Sequence, residues 1–499
     1  MKSNQSINYE NPEERDNRNF FQKFKWVIIF GITEVLILVL YFLFTEYSDD
    51  TSPLKANTKN DEAKDKIYLY YPLFQDIHVM IFIGFGFLMT FLKTHSWTSV
   101  GLNYFVAAWA IQVVILFSGF WTGVFKGFDQ RISLDIKSLI EGDFGAAAVL
   151  ISFGAVLGKF NPVQMIVLTT IEMAFYSLNS FIGTTYLKAV DMGGSMYIHT
   201  FGAYFGLAVA FWSLENRFKS NKNNGSSYNS NLFAFIGTIF LWMYWPSFNG
   251  AMAEGVTKQR VLVNTYLSMT GSCIIVFILN PVFRNGKLSA ESILNATLAG
   301  GVIIGTVSDL VTTSWEAILI GVLGGAISLF GFEKLSAFIS NKFNIYDTCG
   351  INNLHGLPGV VSGILGGVYA SFASTNIYGD SLENIFPALK DGRSSGEQGL
   401  FQLAGLGLSL LFALIGGTIS GLIVRSELFD KPSLLFTDRE FWDIEGIEIA
   451  DGYEDVRKDE DNFSDHNKKV SENKIIDAGV KRNSNISDKN NSQKVKLLS

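Results

Sequence analysis

Twelve apolar stretches of roughly bilayer length, separated by short polar breaks, constrain this chain more than any other feature. They cover residues 26–44, 74–92, 100–120, 142–160, 162–187, 193–213, 231–252, 259–281, 290–311, 314–332, 349–372 and 400–424. About 20 apolar residues cross the hydrocarbon core as a helix. Inside lipid, only a helix or a closed barrel pairs its own backbone polar groups. The sequence therefore predicts an all-α integral membrane protein with twelve transmembrane helices. Composition agrees, since 17% of the chain is charged, against about 25% in soluble domains. The charges gather in the breaks and at both ends. No basic patch suggests a nucleic-acid partner; the lipid bilayer is the partner that composition implies.

An even number of spans puts both ends on one side of the membrane. The N-terminal segment, 1–24, carries Lys2, Arg15, Arg18 and Lys23, and Lys25 follows at the first span; the loop with Arg217, Lys219 and Lys222 falls on the same side. The positive-inside rule makes that side cytoplasmic, although Lys126, Arg131 and Lys137 fall outside. Residues 1–24 lack the basic start and cleavage site of a signal peptide. The transmembrane domain spans 25–425. The tail, 426–499, holds 17 acidic and 12 basic residues and has the composition of a disordered cytoplasmic segment. The sequons at Asn4 and Asn224 lie on the cytoplasmic side and are expected to stay unglycosylated. Cys273 and Cys349, too few for a disulfide framework, are expected to be free thiols.

Two of the five histidines share a pattern. One segment runs from Asp191 through Gly193 and Gly194 to His199; the other runs from Asp347 through Gly350 to His355. Both have seven residues between the Asp and the His, and both pairs are separated by 156 residues. Helices 74–213 and 231–372 form two sets of five. An odd number reverses the second set, which makes an inverted five-helix repeat with a site near the midplane. If each helix opens at its Asp, the His lies a little over two turns deeper, about 12 Å along the axis. The helix start favours the carboxylate. Desolvation favours neutral rings, and two neutral rings can share one proton between them. The plainer alternative is that each His satisfies a helix–helix hydrogen bond. Zinc is a further alternative, but the Asp residues at the helix starts lie too far from the rings to complete a site.

At these residues the chain resembles the Rh branch of the ammonium transporter/Rh glycoprotein superfamily. The matching runs are Tyr71–Met80, Gly84–Phe91, Gly193–Gly206, Leu241–Asn249, Asn295–Gly301 and Asp347–Gly359. The resemblance implies a homotrimer with one hydrophobic pore per subunit. Each pore would conduct ammonia and, in Rh members, carbon dioxide, with no cofactor and no enzymatic step. It makes His199 and His355 the twin pore histidines and Asp191 the acidic residue needed for transport, with Asp347 its partner in the repeat. Phe144 and Phe248 become the stacked pair closing the outer mouth, and Phe74 a vestibule residue. Without the resemblance, each Phe reads as core or lipid contact.

Asn179-Ser180-Phe181 lacks the acidic residue that follows Asn in some Rh members. Glu172, two turns earlier, reads as a displaced acidic site or, preferably, as a protonated carboxyl at a helix contact. Asp309 is a candidate for the inner vestibule. Trp242, Trp245 and Pro246 read as interface anchors and a helix irregularity. Gly356, Gly359, Gly363 and Gly367 have the spacing of a close helix contact. The membrane expected is the plasma membrane, with a vacuolar or other endomembrane as the alternative. Functional alternatives are a non-conducting scaffold or ammonium sensor, and an intramembrane hydrolase. The last would need a nucleophile beside the histidines, and Cys349 would lie nearly opposite His355 on a helix.

Overall fold

The computed structural model describes residues 24–52, 61–213, 217–426, 428–429, 432 and 434–444. The first 23 residues, the Asn4 sequon and the tail beyond 444 lie outside them. Among the described residues, twelve long helical segments follow the apolar stretches. They are α1 (Lys25–Phe44), α2 (Lys66–Phe91), α3 (Ser96–Lys126), α4 (Ile136–Val156), α5 (Pro162–Leu187) and α6 (Ser195–Thr200 continuing as Phe201–Ser213). The remainder are α7 (Tyr228–Gly250), α8 (Gly255–Phe283), α9 (Ala290–Val307), α10 (Ser314–Phe343), α11 (Asn352–Ser371) and α12 (Ser395–Val424). Nine are long and apolar enough to cross a bilayer on those grounds alone; α11 bends by 102° into the helical stretch Thr375–Ile385.

Residue type decides which helices face lipid. Of α1, only Ile37 is buried, and Ile32, Val35, Leu38 and Phe42 are exposed. An apolar surface of that kind is at rest only in hydrocarbon. α4 is the opposite case, sunk in the bundle through a run of small residues that includes Ala146, Ala147 and Ala148. Glycines let backbones meet. A Cβ on Gly237 would lie 2.1 Å from Leu88 N, joining α7 to α2, and one on Gly359 would lie 2.5 Å from Thr200 Oγ1, joining α11 to α6.

The repeat is visible in the backbone. Lys188 and Asn344, at the offset of the two histidines, are both left-handed, with φ of 50° and 56°. Gly194 and Gly350, also at that offset, share a φ of 70°. Each entry into α6 and α11 is a π-helical turn, Ser195–Thr200 and Asn352–Gly356.

The structure differs from the sequence expectation at three places. The helix leading into α2 begins at Asp61 rather than after Tyr70; Glu, Ala and Lys suit a helix and Asp its first turn, but all are invisible to an apolar window. Thr45–Tyr47 and Ile132–Leu134 pair as a two-stranded parallel sheet. Packing also continues past 425. Phe436 is buried and accepts at its carbonyl from Thr94 Oγ1, 2.8 Å. Asp438 takes the backbone N–H of Trp97 and Thr98 at 3.0 and 2.7 Å and the Thr98 hydroxyl at 2.6 Å, capping α3. The start of α1 lies on the same face, where Lys25 donates to Leu428 O. We call this the terminal face.

An N-cap carboxylate stabilises a helix by about 0.5–2 kcal/mol. Asp438→Ala is therefore expected to leave the bundle folded while hydrogen exchange at Trp97 and Thr98 rises at least several-fold. Unchanged protection there would show that the segment is held without this cap.

Candidate functional site

Two carboxylates set the helix starts on which the site is built. Asp191 Oδ2 accepts from the N–H groups of Met196 and Tyr197 at 2.8 and 2.9 Å, and Oδ1 accepts from Thr306 Oγ1 at 2.6 Å. Asp347 accepts from Ile351 N and Asn352 N at 3.1 and 3.0 Å. Free N–H groups at a helix start are the natural partners of an anion. Both carboxylates cap from outside the helix, because the glycine turn at Gly194 or Gly350 intervenes. The helices do not open at the Asp residues as the spacing suggested, so each histidine sits in the first turns. Gly193 permits the approach, since a Cβ there would lie 2.5 Å from Asn249 Oδ1 and 2.7 Å from Gly305 Cα.

Burial pushes the carboxyl of Asp191 upward, against the opposing pull of Thr306 and the backbone donors. Asp347 shifts the same way for the same reason, opposed by its own N–H partners and by Lys159. Lys159 is buried on the terminal face and donates to the carbonyls of Ala155 and Tyr346 at 2.6 and 2.5 Å. Burial pulls its ammonium down to about 7, while Asp347 works in the other direction. Nothing in a single lysine between apolar runs announces this placement.

His199 and His355 meet at the centre. Their Nδ1 atoms are 3.1 Å apart, the ring planes differ by 4°, and both residues are buried. Two acceptors cannot bond, so one Nδ1 carries a hydrogen and the other receives it. His199 Nε2 is buried with no partner, which leaves a polar atom for something small to meet.

Aromatic rings continue the line in both directions. Phe248 lies 5.7 Å from His199, and Phe144 lies 4.9 Å from Phe248 at 62°. On the other side Phe85 lies 6.3 Å from His355 at 20°. Beyond it a cleft toward the terminal face is walled by Leu88, Leu150 and Leu354, with Asn295 and Cys349 as its polar members. Phe74 is one step removed, 5.1 Å from the ring of His78.

Several sequence readings need correction. Trp245 is not an interface anchor: it is 1% exposed and its ring lies 5.6 Å from His199 at 23°. Neither it nor Phe85 carries a sequence signal separating it from other core aromatics. Cys349 lines the same cleft as His355 because it precedes the helix instead of sitting on its far face. Asp309 lies on the Asp191 side of the bundle, away from the terminal face: Asp191 acts on it electrostatically and Arg260, near the start of α8, bonds its carbonyl at 2.8 Å.

Glu172 is a helix contact. Its Oε1 is 2.6 Å from Ser152 Oγ, which also lies 2.7 Å from the carbonyl of Gly202. A carbonyl only accepts, so the single serine proton goes there and the second contact closes if Glu172 carries its own proton. Both cysteines are free. Among the described residues no three His, Cys, Asp or Glu side chains gather as a metal site would require.

A buried histidine pair with parallel rings, between aromatic side chains and set at the matched helix starts of an inverted repeat, belongs to a multi-pass membrane transporter or channel. The sequence pattern of the Ammonium Transporter Family matches residues 35–428; the chain belongs to that family. It is 43% identical to ammonium transporter Rh type B of Danio rerio over 429 residues, 84% of this chain and 92% of the relative. It is 42% identical to ammonium transporter Rh type C of Xenopus tropicalis over 431 residues, 84% and 91% of the two chains. Among solved structures, Rh50 of Nitrosomonas europaea, described with the Rhesus protein family of channels, matches with a TM-score of 0.65. The two are 30% identical, over 82% of this chain and 99% of that one.

Proposed function

We propose that this protein transports ammonium nitrogen across its membrane as neutral ammonia. The observation that carries the reading is the 3.1 Å contact between two buried histidines with parallel rings in an otherwise apolar line of side chains. Ammonia passes Phe144 and Phe248, meets the unpartnered Nε2 of His199, moves along His355 and Phe85, and leaves through the cleft on the terminal face. A small neutral molecule gains hydrogen bonds at the rings and forfeits little on leaving water. A bare cation would lose its hydration with no fixed charge to replace it. Carbon dioxide is small and neutral as well, and is the second gas to measure.

Asp191 and Asp347 position the two helices, and Phe74 lines the approach. We place the terminal face in the cytoplasm, following the basic residues before α1, and the protein in the plasma membrane. By likeness to the family it works as a homotrimer, each subunit with its own pore. Retention of both histidines in bonding contact favours conduction over a scaffolding or sensing role, and the family is one of transporters, not enzymes.

The test is stopped-flow recording of internal pH in vesicles holding the purified protein. Wild type is expected to speed the ammonia-driven change well beyond empty vesicles, and His199→Ala or His355→Ala to lower that rate about tenfold. Equal rates in wild type and both variants would remove the histidines from the mechanism. A wild type no faster than empty vesicles would remove transport itself.

A further inference from the structure

A third histidine, outside the twin pair, sits at the pore mouth with a carboxylate behind it. His78 of α2 places Nδ1 3.4 and 3.3 Å from the two oxygens of Asp143 on α4. The carboxylate side chain is 1% exposed, whereas the His78 side chain is 46% exposed. Asp143 immediately precedes Phe144, whose ring closes against Phe248. The imidazole is held by Phe74 at 5.1 Å and Phe82 at 4.6 Å. Neighbouring charged groups have other partners. Asp76 accepts the Ser247 hydroxyl at 2.5 Å, and Tyr70 and Lys137 both donate to Glu254, at 3.1 and 3.3 Å. Glu141, two residues before Asp143 on α4, is the remaining acidic group of this stretch.

We propose that His78, positioned by Asp143, is the proton acceptor that converts ammonium to ammonia at the pore mouth. The inference rests on the transport reading above. A carboxylate can only accept, so it fixes the tautomer with the hydrogen on Nδ1. The Nε2 lone pair is then left with no protein partner among the described residues, on a side chain 46% exposed. An ammonium ion reaching this surface loses one N–H bond. Its proton forms a bond to Nε2, and the bonding pair stays on nitrogen as ammonia. The imidazolium is paired with Asp143 while ammonia passes Phe144, and the proton then returns to water on the side it came from. Charge balances: one ammonium arrives, one ammonia crosses, one proton stays behind. The half-exposed ring can exchange that proton with water, which the buried His199 and His355 cannot.

The experiment compares wild type, His78→Gln and Asp143→Asn, each as the full chain in vesicles, at about pH 6 and about pH 9. At the lower pH nearly all the solute is ammonium and must be deprotonated on the protein; at the higher pH free ammonia is plentiful. General-base steps contribute 10²-fold or more, so both variants are expected to lose about tenfold or more at pH 6 and under about threefold at pH 9. A merely structural pair would lower both rates by the same factor, and that result overturns the proposal. So does an undiminished rate at pH 6 in His78→Gln, a substitution at a half-exposed site. Elution volume and melting temperature of each variant show whether a rate belongs to folded protein. A wild type silent at both pH values fails the transport reading instead.

Discussion

Asp191→Ala is expected to abolish transport and to destabilise the bundle by about 3 kcal/mol or more. The carboxylate receives three hydrogen bonds from buried or half-buried donors: Met196 N, Tyr197 N and the Thr306 hydroxyl. A buried donor left unpaired costs roughly 1–3 kcal/mol, and alanine supplies no replacement. The loss falls where α6 meets the end of α9, so the position of the His199 ring moves with it. The measurement is paired: thermal unfolding in detergent, then ammonia flux from whatever folded protein remains. Asp191→Asn keeps one acceptor oxygen and should recover part of the stability. Full flux from Asp191→Ala would mean that α6 holds His199 in place without its cap.

Gly321→Leu is expected to have the largest effect on folding of any single change described here. A Cβ at Gly321 would lie 1.9 Å from the carbonyl oxygen of Ser268, where α10 crosses α8, and one at Gly271 would lie 2.4 Å from Ile318 O. The obstruction is backbone, so no side-chain rotation relieves it. The helices must separate, which opens the apolar contacts around them and exceeds the ~1–3 kcal/mol of ordinary overpacking. The expected result is loss of monodisperse protein on extraction. Gly31→Ala on α1 is the control, because no atom lies within 4 Å of its Cβ position and alanine favours a helix over glycine by roughly 1 kcal/mol. Comparable yields from the two variants would mean that the α8–α10 crossing tolerates separation.

These two changes also mark the limit of what could be read from residue order. Asp191 was legible: its spacing to His199 repeats at Asp347 and His355, and an acidic residue ahead of a buried helix has few physical roles. Gly321 was not, because a glycine in an apolar run looks the same whether it faces lipid, as Gly31 does, or a carbonyl of another helix. Phe144 and Phe248 could be named only through family likeness; their 4.9 Å contact joins helices far apart in the chain. Trp245 was misread for a related reason: tryptophan favours the membrane interface on average, and its pairing with His199 overrides that average.

The sequence by itself determined the number and order of the long helices, the inverted repeat and the two Asp–His pairs, because bilayer thickness and helical geometry act on local residue patterns. Only the tertiary structure decided the 3.1 Å meeting of His199 with His355, the ring of Trp245 beside them, and the carboxylate of Asp143 behind His78. Those contacts join residues dozens to hundreds of positions apart, and helix crossings fixed by glycine and small side chains set their distances.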